Sequence, residues 1–213
     1  VLGGVSVVVT ERDEKIIREV DRWRGLLGRQ IKEIGNFTGT RATDRRLKKL
    51  VEAKYLSRKK YIYGVASIYQ ITEKSHKKFD LGNYLNKMRL EQLEHDIMVV
   101  DTYLYFKKRL GLEADHFMSE KEIRHQQGFT TRGHVPDFIF NHQGKTYAVE
   151  VELSQKAKDK LEKNIKENYI HYDRQFWILN NPKLKRWLME FKETYPNIEI
   201  METGVIDEYT KSI

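Results

Sequence analysis

The chain has 213 residues, with 39 Lys and Arg against 31 Asp and Glu, a net charge of +8. That length is ample for a core in one large domain or two small ones, and the absence of cysteine excludes a disulfide framework, Cys-ligated zinc and iron–sulfur clusters. Residues 1–80 hold 19 Lys and Arg against 10 Asp and Glu, a net of +9, while residues 81–213 come to −1, so the excess positive charge is confined to the N-terminal part.

Val1 to Val9 is apolar but short, glycine-interrupted and without basic residues; it reads as neither signal peptide nor membrane span. Nothing in the composition opposes a cytoplasmic location. Thr10 is placed to cap a first helix, with Glu11, Asp13 and Glu14 in the first turn and Ile16, Val20 and Trp23 at helical spacing. Leu27, Ile31 and Ile34 form a second short stripe that ends at Gly35. After Asn36-Phe37-Thr38-Gly39, Thr40 is expected to cap a third helix. Its inner face is Thr43, Leu47, Leu50 and Val51, and its outer face Arg41, Arg45, Lys48 and Lys49. Arg58-Lys59-Lys60 then leads to two expected strands, Tyr61–Gly64 and Ser67–Thr72.

Three helices followed by a basic, tyrosine-bearing hairpin are the layout of a winged helix-turn-helix, and residues 8–80 resemble that superfamily. The resemblance implies binding to double-stranded DNA. Arg41 and Arg45 would read bases, because Arg can grip guanine in a fork, while Lys48, Lys49, Arg58, Lys59 and Lys60 would hold phosphates. The plainer alternative is a solvated helix with ordinary surface lysines, or a winged helix that binds protein.

Leu81-Gly82-Asn83 reads as a hinge opening a second domain, residues 84–213. A long helix is expected from Asn86 to Leu110, then a short strand near Phe117–Glu120 and a basic loop from Arg124 to Gly133. Pro136-Asp137 opens an apolar run, Asn141-His142-Gln143-Gly144 reads as a four-residue loop, and a second run from Lys145 to Leu153 carries Glu150-Val151-Glu152. A helix from Ser154 to His171, a buried strand at Gln175–Leu179, a helix opened by Asn181-Pro182 and a last strand at Ile198–Met201 complete the chain.

Alternation along a strand points Glu150 and Glu152 the same way. With a four-residue loop Phe140 would pair with Lys145, and Asp137 would fall opposite Ala148 as a diagonal neighbour of Glu150. Three like charges on one face are tolerable mainly around a cation, and an all-oxygen ligand set suits Mg²⁺ or Mn²⁺. Ordinary amphipathic patterning of one wet strand face is the competing explanation.

Pro136-Asp137 on the second strand and Glu150-x-Glu152 on the third, in the order helix, three strands, helix, strand, helix, strand, resemble the PD-(D/E)XK nuclease superfamily. The whole chain is then a mixed α/β protein: a winged helix-turn-helix followed by a restriction-endonuclease-like core with a central mixed sheet flanked by helices. The resemblance implies that Asp137 and Glu150 bind metal. Glu152 stands where that superfamily usually has lysine, and Lys156 is the nearest replacement; Glu94 is a further acid that could assist the metal. With Leu93-Glu94-His95-Asp96-Ile97 and Ser119-Glu120-Lys121-Glu122-Ile123-Arg124, the arrangement is similar to the replication-relaxation family of plasmid and mobile-element proteins. Two functions follow from the resemblance: a Mg²⁺- or Mn²⁺-dependent DNA endonuclease, in which Asp137, Glu150 and Glu152 hold the ion and Lys156 offsets phosphate charge, or a non-catalytic regulator or copy-number accessory protein. A homodimer is compatible with either. No phosphate-binding Gly-rich loop and no paired-histidine–tyrosine constellation is present, which disfavours ATP-driven work and a covalent tyrosine mechanism.

Overall fold

The computed structural model of the chain describes residues 7–61, 64, 66–81, 90–128, 133–154 and 156–213. The chain divides into two compact units, one reaching to Val100 and including Ile213, the other Asp101–Ser212. The fold is mixed α/β, and no helix among the described residues is long and apolar enough to cross a membrane.

In the first unit α1 spans Glu11–Arg22. Thr10 and Asp13 close a capping box, Thr10 N–H donating to Asp13 Oδ2 at 2.8 Å while Thr10 Oγ1 accepts from Asp13 N–H. The helix buries Ile16, Ile17 and Val20. Strand β1 (Leu26–Leu27), helix α2 (Gly28–Ile34) and helix α3 (Thr40–Glu52) follow. Gly39, rather than Thr40, occupies the N-cap of α3. Strands β2 (Leu56–Lys59) and β3 (Ile68–Ile71) pair antiparallel with Leu56 opposite Ile71, and β3 also pairs antiparallel with β1, giving the order β1-β3-β2.

The first expected strand is therefore displaced: Leu56–Lys59 is the paired segment because Leu56 turns inward to the core, and Ile62 and Tyr63 lie outside the described residues. Helix α4 (Glu73–Phe79), capped by Thr72, was not expected from the sequence. Of the expected hinge, Gly82 and Asn83 also lie outside the described residues. So do Asn86 to Arg89, at the start of the expected long helix. Helix α5 is described from Leu93 to Leu110, and the division between the units falls inside it.

The second unit is built on a five-stranded mixed sheet in the order β4-β5-β6-β7-β8. Strand β4 (Phe117–Ser119) is followed by helix α6 (Glu120–Gln127), capped by a Ser119–Glu122 box, so the expected basic loop begins as helix, Arg124 to Gln127; residues 129–132 lie outside the described residues. Strands β5 (Phe138–His142) and β6 (Lys145–Glu152) form a hairpin. Its turn is two residues, not four: His142 pairs with Lys145 and Phe140 with Tyr147. Gln143 and Gly144 both take positive φ, 50° and 72°, which matches the right-handed strand twist.

Helix α7 spans Lys158–His171 and starts four residues later than expected, so Lys156 lies ahead of it. Strand β7 (Arg174–Leu179) runs parallel to β6 with Glu150 opposite Trp177, helix α8 (Pro182–Lys192) is capped by Asn181, and β8 (Ile198–Glu202) pairs parallel with β7. Helix α9 (Thr203–Lys211) ends the unit. Both sheet faces are covered. Phe106, Phe117, Phe140, Tyr147 and Phe176 form an aromatic layer, with Phe140 and Tyr147 stacked at 4.7 Å; Leu161, Ile165, Trp177, Leu179, Leu184, Leu188 and Ile198 form an apolar layer. Strand β6 is thus central, and the two carboxylates in its C-terminal half, Glu150 and Glu152, are held away from water, while Lys145 at its start is exposed.

Candidate functional site

Glu150 and Glu152 share the β6 face that carries the α7 layer, and each is only 5% exposed. A buried carboxylate needs donors, and Glu150 has two. Asn168 Nδ2 on α7 donates to its Oε1 at 2.8 Å, and His134 Nε2 lies 2.5 Å from the same atom. Among the described residues Oε2 takes no hydrogen bond. Burial pushes the Glu150 carboxyl above its ordinary range; His134 and Asn168 pull it back, while the negative charge of Asp137 adds to the rise. Tyr172, at the C-terminus of α7, is raised chiefly by burial and then by Glu150 itself.

The two-residue turn alters the expected route by which Asp137 meets Glu150. Continuing the pairing of Phe138 with Val149 brings Asp137 across from Glu150 directly, instead of opposite Ala148. Asp137 is also fixed by the backbone on both sides. Its Oδ2 accepts from Val151 N–H at 2.7 Å, and its carbonyl accepts from Glu120 N–H, the first residue of α6, at 2.9 Å.

Glu152 is satisfied separately. Lys156 Nζ lies 2.5 Å from its Oε2, and Ser154 Oγ donates to Oε1 at 3.0 Å. Glu94 is exposed on the part of α5 that belongs to the first unit, and Glu120 is engaged by Arg124 at 2.8 Å. Among the described residues no group of three His, Asp or Glu has the spacing to hold a metal ion. Asp137 and Glu150, two oxygen ligands whose charges repel, are the pair that fits a hard cation; Glu152 is already neutralised by Lys156.

His134 and Asn168 were not singled out from the sequence. His134 gives no periodic signal, because its contact crosses 16 residues and depends on the hairpin. Asn168 did leave a trace: Leu161, Asn164, Ile165 and Asn168 recur at helical spacing, so two amides interrupt the inward stripe of α7.

In the first unit α3 buries Thr43, Leu47 and Leu50 and exposes Arg41, Arg45, Lys48 and Lys49. Lys48 makes only a loose contact with Glu52, 3.8 Å on the surface. Arg46, on the same helix, points inward instead and grips Asp13, Nε donating to Oδ1 at 2.7 Å. Arg58, Lys59 and Lys60 are exposed at and beyond the end of β2, with the Arg58 guanidinium 6.0 Å from the Tyr69 ring. No protein-family model matches the chain, and no curated protein matches it.

Proposed function

We propose that the chain is a double-stranded-DNA-binding protein of a plasmid or mobile element, akin to the replication-relaxation family, in which a winged helix-turn-helix unit finds the site and a PD-(D/E)XK nuclease-like core acts there. One observation carries the reading: the outward side of α3 presents Arg41, Arg45, Lys48 and Lys49 above a buried face of Thr43, Leu47 and Leu50. A helix packed this way offers its cations as a rigid row to a polyanion. The β2–β3 pair, with Arg58 and Lys59 at one end, supports it further, because a basic hairpin following the helix suits contact with the backbone. The antiparallel run β4-β5-β6 continued by parallel β7 supports the nuclease-like core.

In the catalytic version Asp137 and Glu150 hold Mg²⁺ or Mn²⁺. The ion supplies activation of water and stabilisation of negative charge on the phosphodiester. Asn168 and His134 orient Glu150 through Oε1, and the Val151 amide aims Asp137. Lys156 reaches a phosphate only by leaving Glu152. That pairing favours the second reading, a non-catalytic regulator with an inherited core.

Two measurements decide. Arg45→Ala should weaken discrimination between duplex sequences, whereas Lys59→Ala should lower affinity for all of them and flatten the salt dependence. Unchanged binding in both variants removes α3 and the β2–β3 pair as the contact face; absence of salt-dependent duplex binding by the wild type removes the DNA reading. Supercoiled plasmid with Mg²⁺ or Mn²⁺ should be nicked by the wild type and spared by Asp137→Ala; equal behaviour of the two proteins leaves the regulator.

A further inference from the structure

Beside α3 lies a recess of about 320 Å³, bordered by Thr10 and Arg12 at the start of α1, Phe37 between α2 and α3, and Arg45, Arg46 and Lys49 on α3. Its charge is unbalanced. Arg46 is neutralised by Asp13, and Glu14 is tied to Arg18 at 2.8 Å. Among the described residues Arg12, Arg45 and Lys49 have no acidic partner, so three cations border one small hollow.

Arg12 is also held in place. Its guanidinium lies 4.7 Å from the centre of the Phe37 ring, within cation–π range. The ring can lie there because residue 35 is glycine: a Cβ on Gly35 would come within 2.5 Å of Phe37 Cε2 and 2.8 Å of Cδ2. The φ of Gly35 is −85°, so the glycine is needed for space and not for backbone conformation. A guanidinium stacked on a fixed ring keeps its fork of donors free and loses little entropy when it binds.

We infer that this recess is a phosphate seat for the DNA backbone, with Arg12, supported by Phe37, anchoring the start of α1 to a phosphodiester while Arg45 and Lys49 close on it from α3. The inference rests on the DNA-binding reading and adds to it a contact from α1, outside the helix and hairpin considered so far. A planar fork suits two phosphate oxygens at once, and three cations around one hollow offset the charge of a phosphodiester and its neighbour.

The test is a fluorescence-anisotropy titration of the 213-residue chain with a labelled duplex of about 20 base pairs across a series of KCl concentrations. Arg12→Ala, an exposed position, should weaken binding several-fold at low salt. It should also reduce the slope of log K against log[salt] by about 0.9, the loss of one phosphate contact. Arg12→Lys should keep the slope. Gly35→Ala and Phe37→Ala, which retain every charge but remove the platform, should weaken binding by a smaller factor. An Arg12→Ala slope equal to that of the wild type, with Lys59→Ala still lowering it, overturns the phosphate seat and leaves DNA binding intact. Absence of salt-dependent duplex binding by the wild type overturns both.

Discussion

Lys156 Nζ sits 2.5 Å from Glu152 Oε2, a lysine reaching back four residues to a carboxylate buried on the central strand of the sheet. The pair turns a position that would otherwise hold an unpaired charge into a neutral one. Removing one partner of such a pair costs far more than removing both, because the remaining charge stays in the protein without compensation. Lys156→Met should therefore lower the unfolding free energy by about 2–4 kcal/mol, and adding Glu152→Gln should recover most of that loss. Urea unfolding of the two single variants and the double variant measures the coupling. A cost for Lys156→Met below about 0.5 kcal/mol would mark the pair as an ordinary surface contact.

Asp137 and Glu150 make the opposite case, two acids across one strand pair, where the charge of Asp137 raises the cost of ionising Glu150. Burial and Asp137 hold the Glu150 carboxyl above its ordinary value. Its ionised form, which a cation needs, becomes dominant only as pH rises through that raised value. Mn²⁺ should accordingly raise Tm more at pH 8 than at pH 5.5; where the site is ionised the stabilisation is RT ln(1 + [Mn²⁺]/Kd), about 1.4 kcal/mol at tenfold over Kd. Asp137→Asn should abolish the shift at both values. Equal shifts for wild type and variant would put the ion elsewhere.

Local chemistry made much of the architecture legible. Thr10 with Asp13, the stripe of Thr43, Leu47 and Leu50, and Asn181-Pro182 mark helices whose caps and periods are written in adjacent residues. The two acids of the hairpin were legible too, because strand alternation is strict. The turn was not. Asn141 is a common turn residue, yet it and His142 both pair in the strand, where Asn141 Oδ1 accepts from Thr146 Oγ1 at 2.8 Å; Gln143, an unusual residue at positive φ, takes the corner. Contacts across the fold were the least visible. Arg46, three residues after Thr43 and four before Leu50, borders the inward stripe and Arg45 does not, but its partner Asp13 lies 33 residues away and only packing against α1 brings the two together.

That Asp13–Arg46 pair gives a pH signature. Burial alone would raise the Asp13 carboxyl, but the bonds from Arg46 and Thr10 outweigh it and hold the group below its ordinary value of 3.8. A depressed folded value means stability that is present above the unfolded pKa and lost as pH falls through the folded one. Asp13→Asn should cost about 2 kcal/mol at pH 7, since it removes a charge-assisted bond and half of the capping box. The difference in Tm between wild type and variant should shrink below pH 3.8. A difference independent of pH would mean that the loss comes from packing alone.

The hairpin corner offers a gain. Gln143 at φ 50° followed by Gly144 at φ 72° is a type I′ geometry, in which Asn-Gly is the favoured pair. Asn tolerates the left-handed region better than Gln, because its short side chain can bond its own backbone. Gln143→Asn should stabilise the second unit by roughly 0.5 kcal/mol, one or two degrees in Tm. Gly144→Val, a β-branched residue at positive φ, should destabilise it by at least 1 kcal/mol. Because this turn sets the register that brings Asp137 across from Glu150, Gly144→Val should also weaken the Mn²⁺ response, whereas Gln143→Asn should leave it unchanged. A Gly144→Val protein with full Mn²⁺ response and lowered Tm would separate the turn from the acid pair.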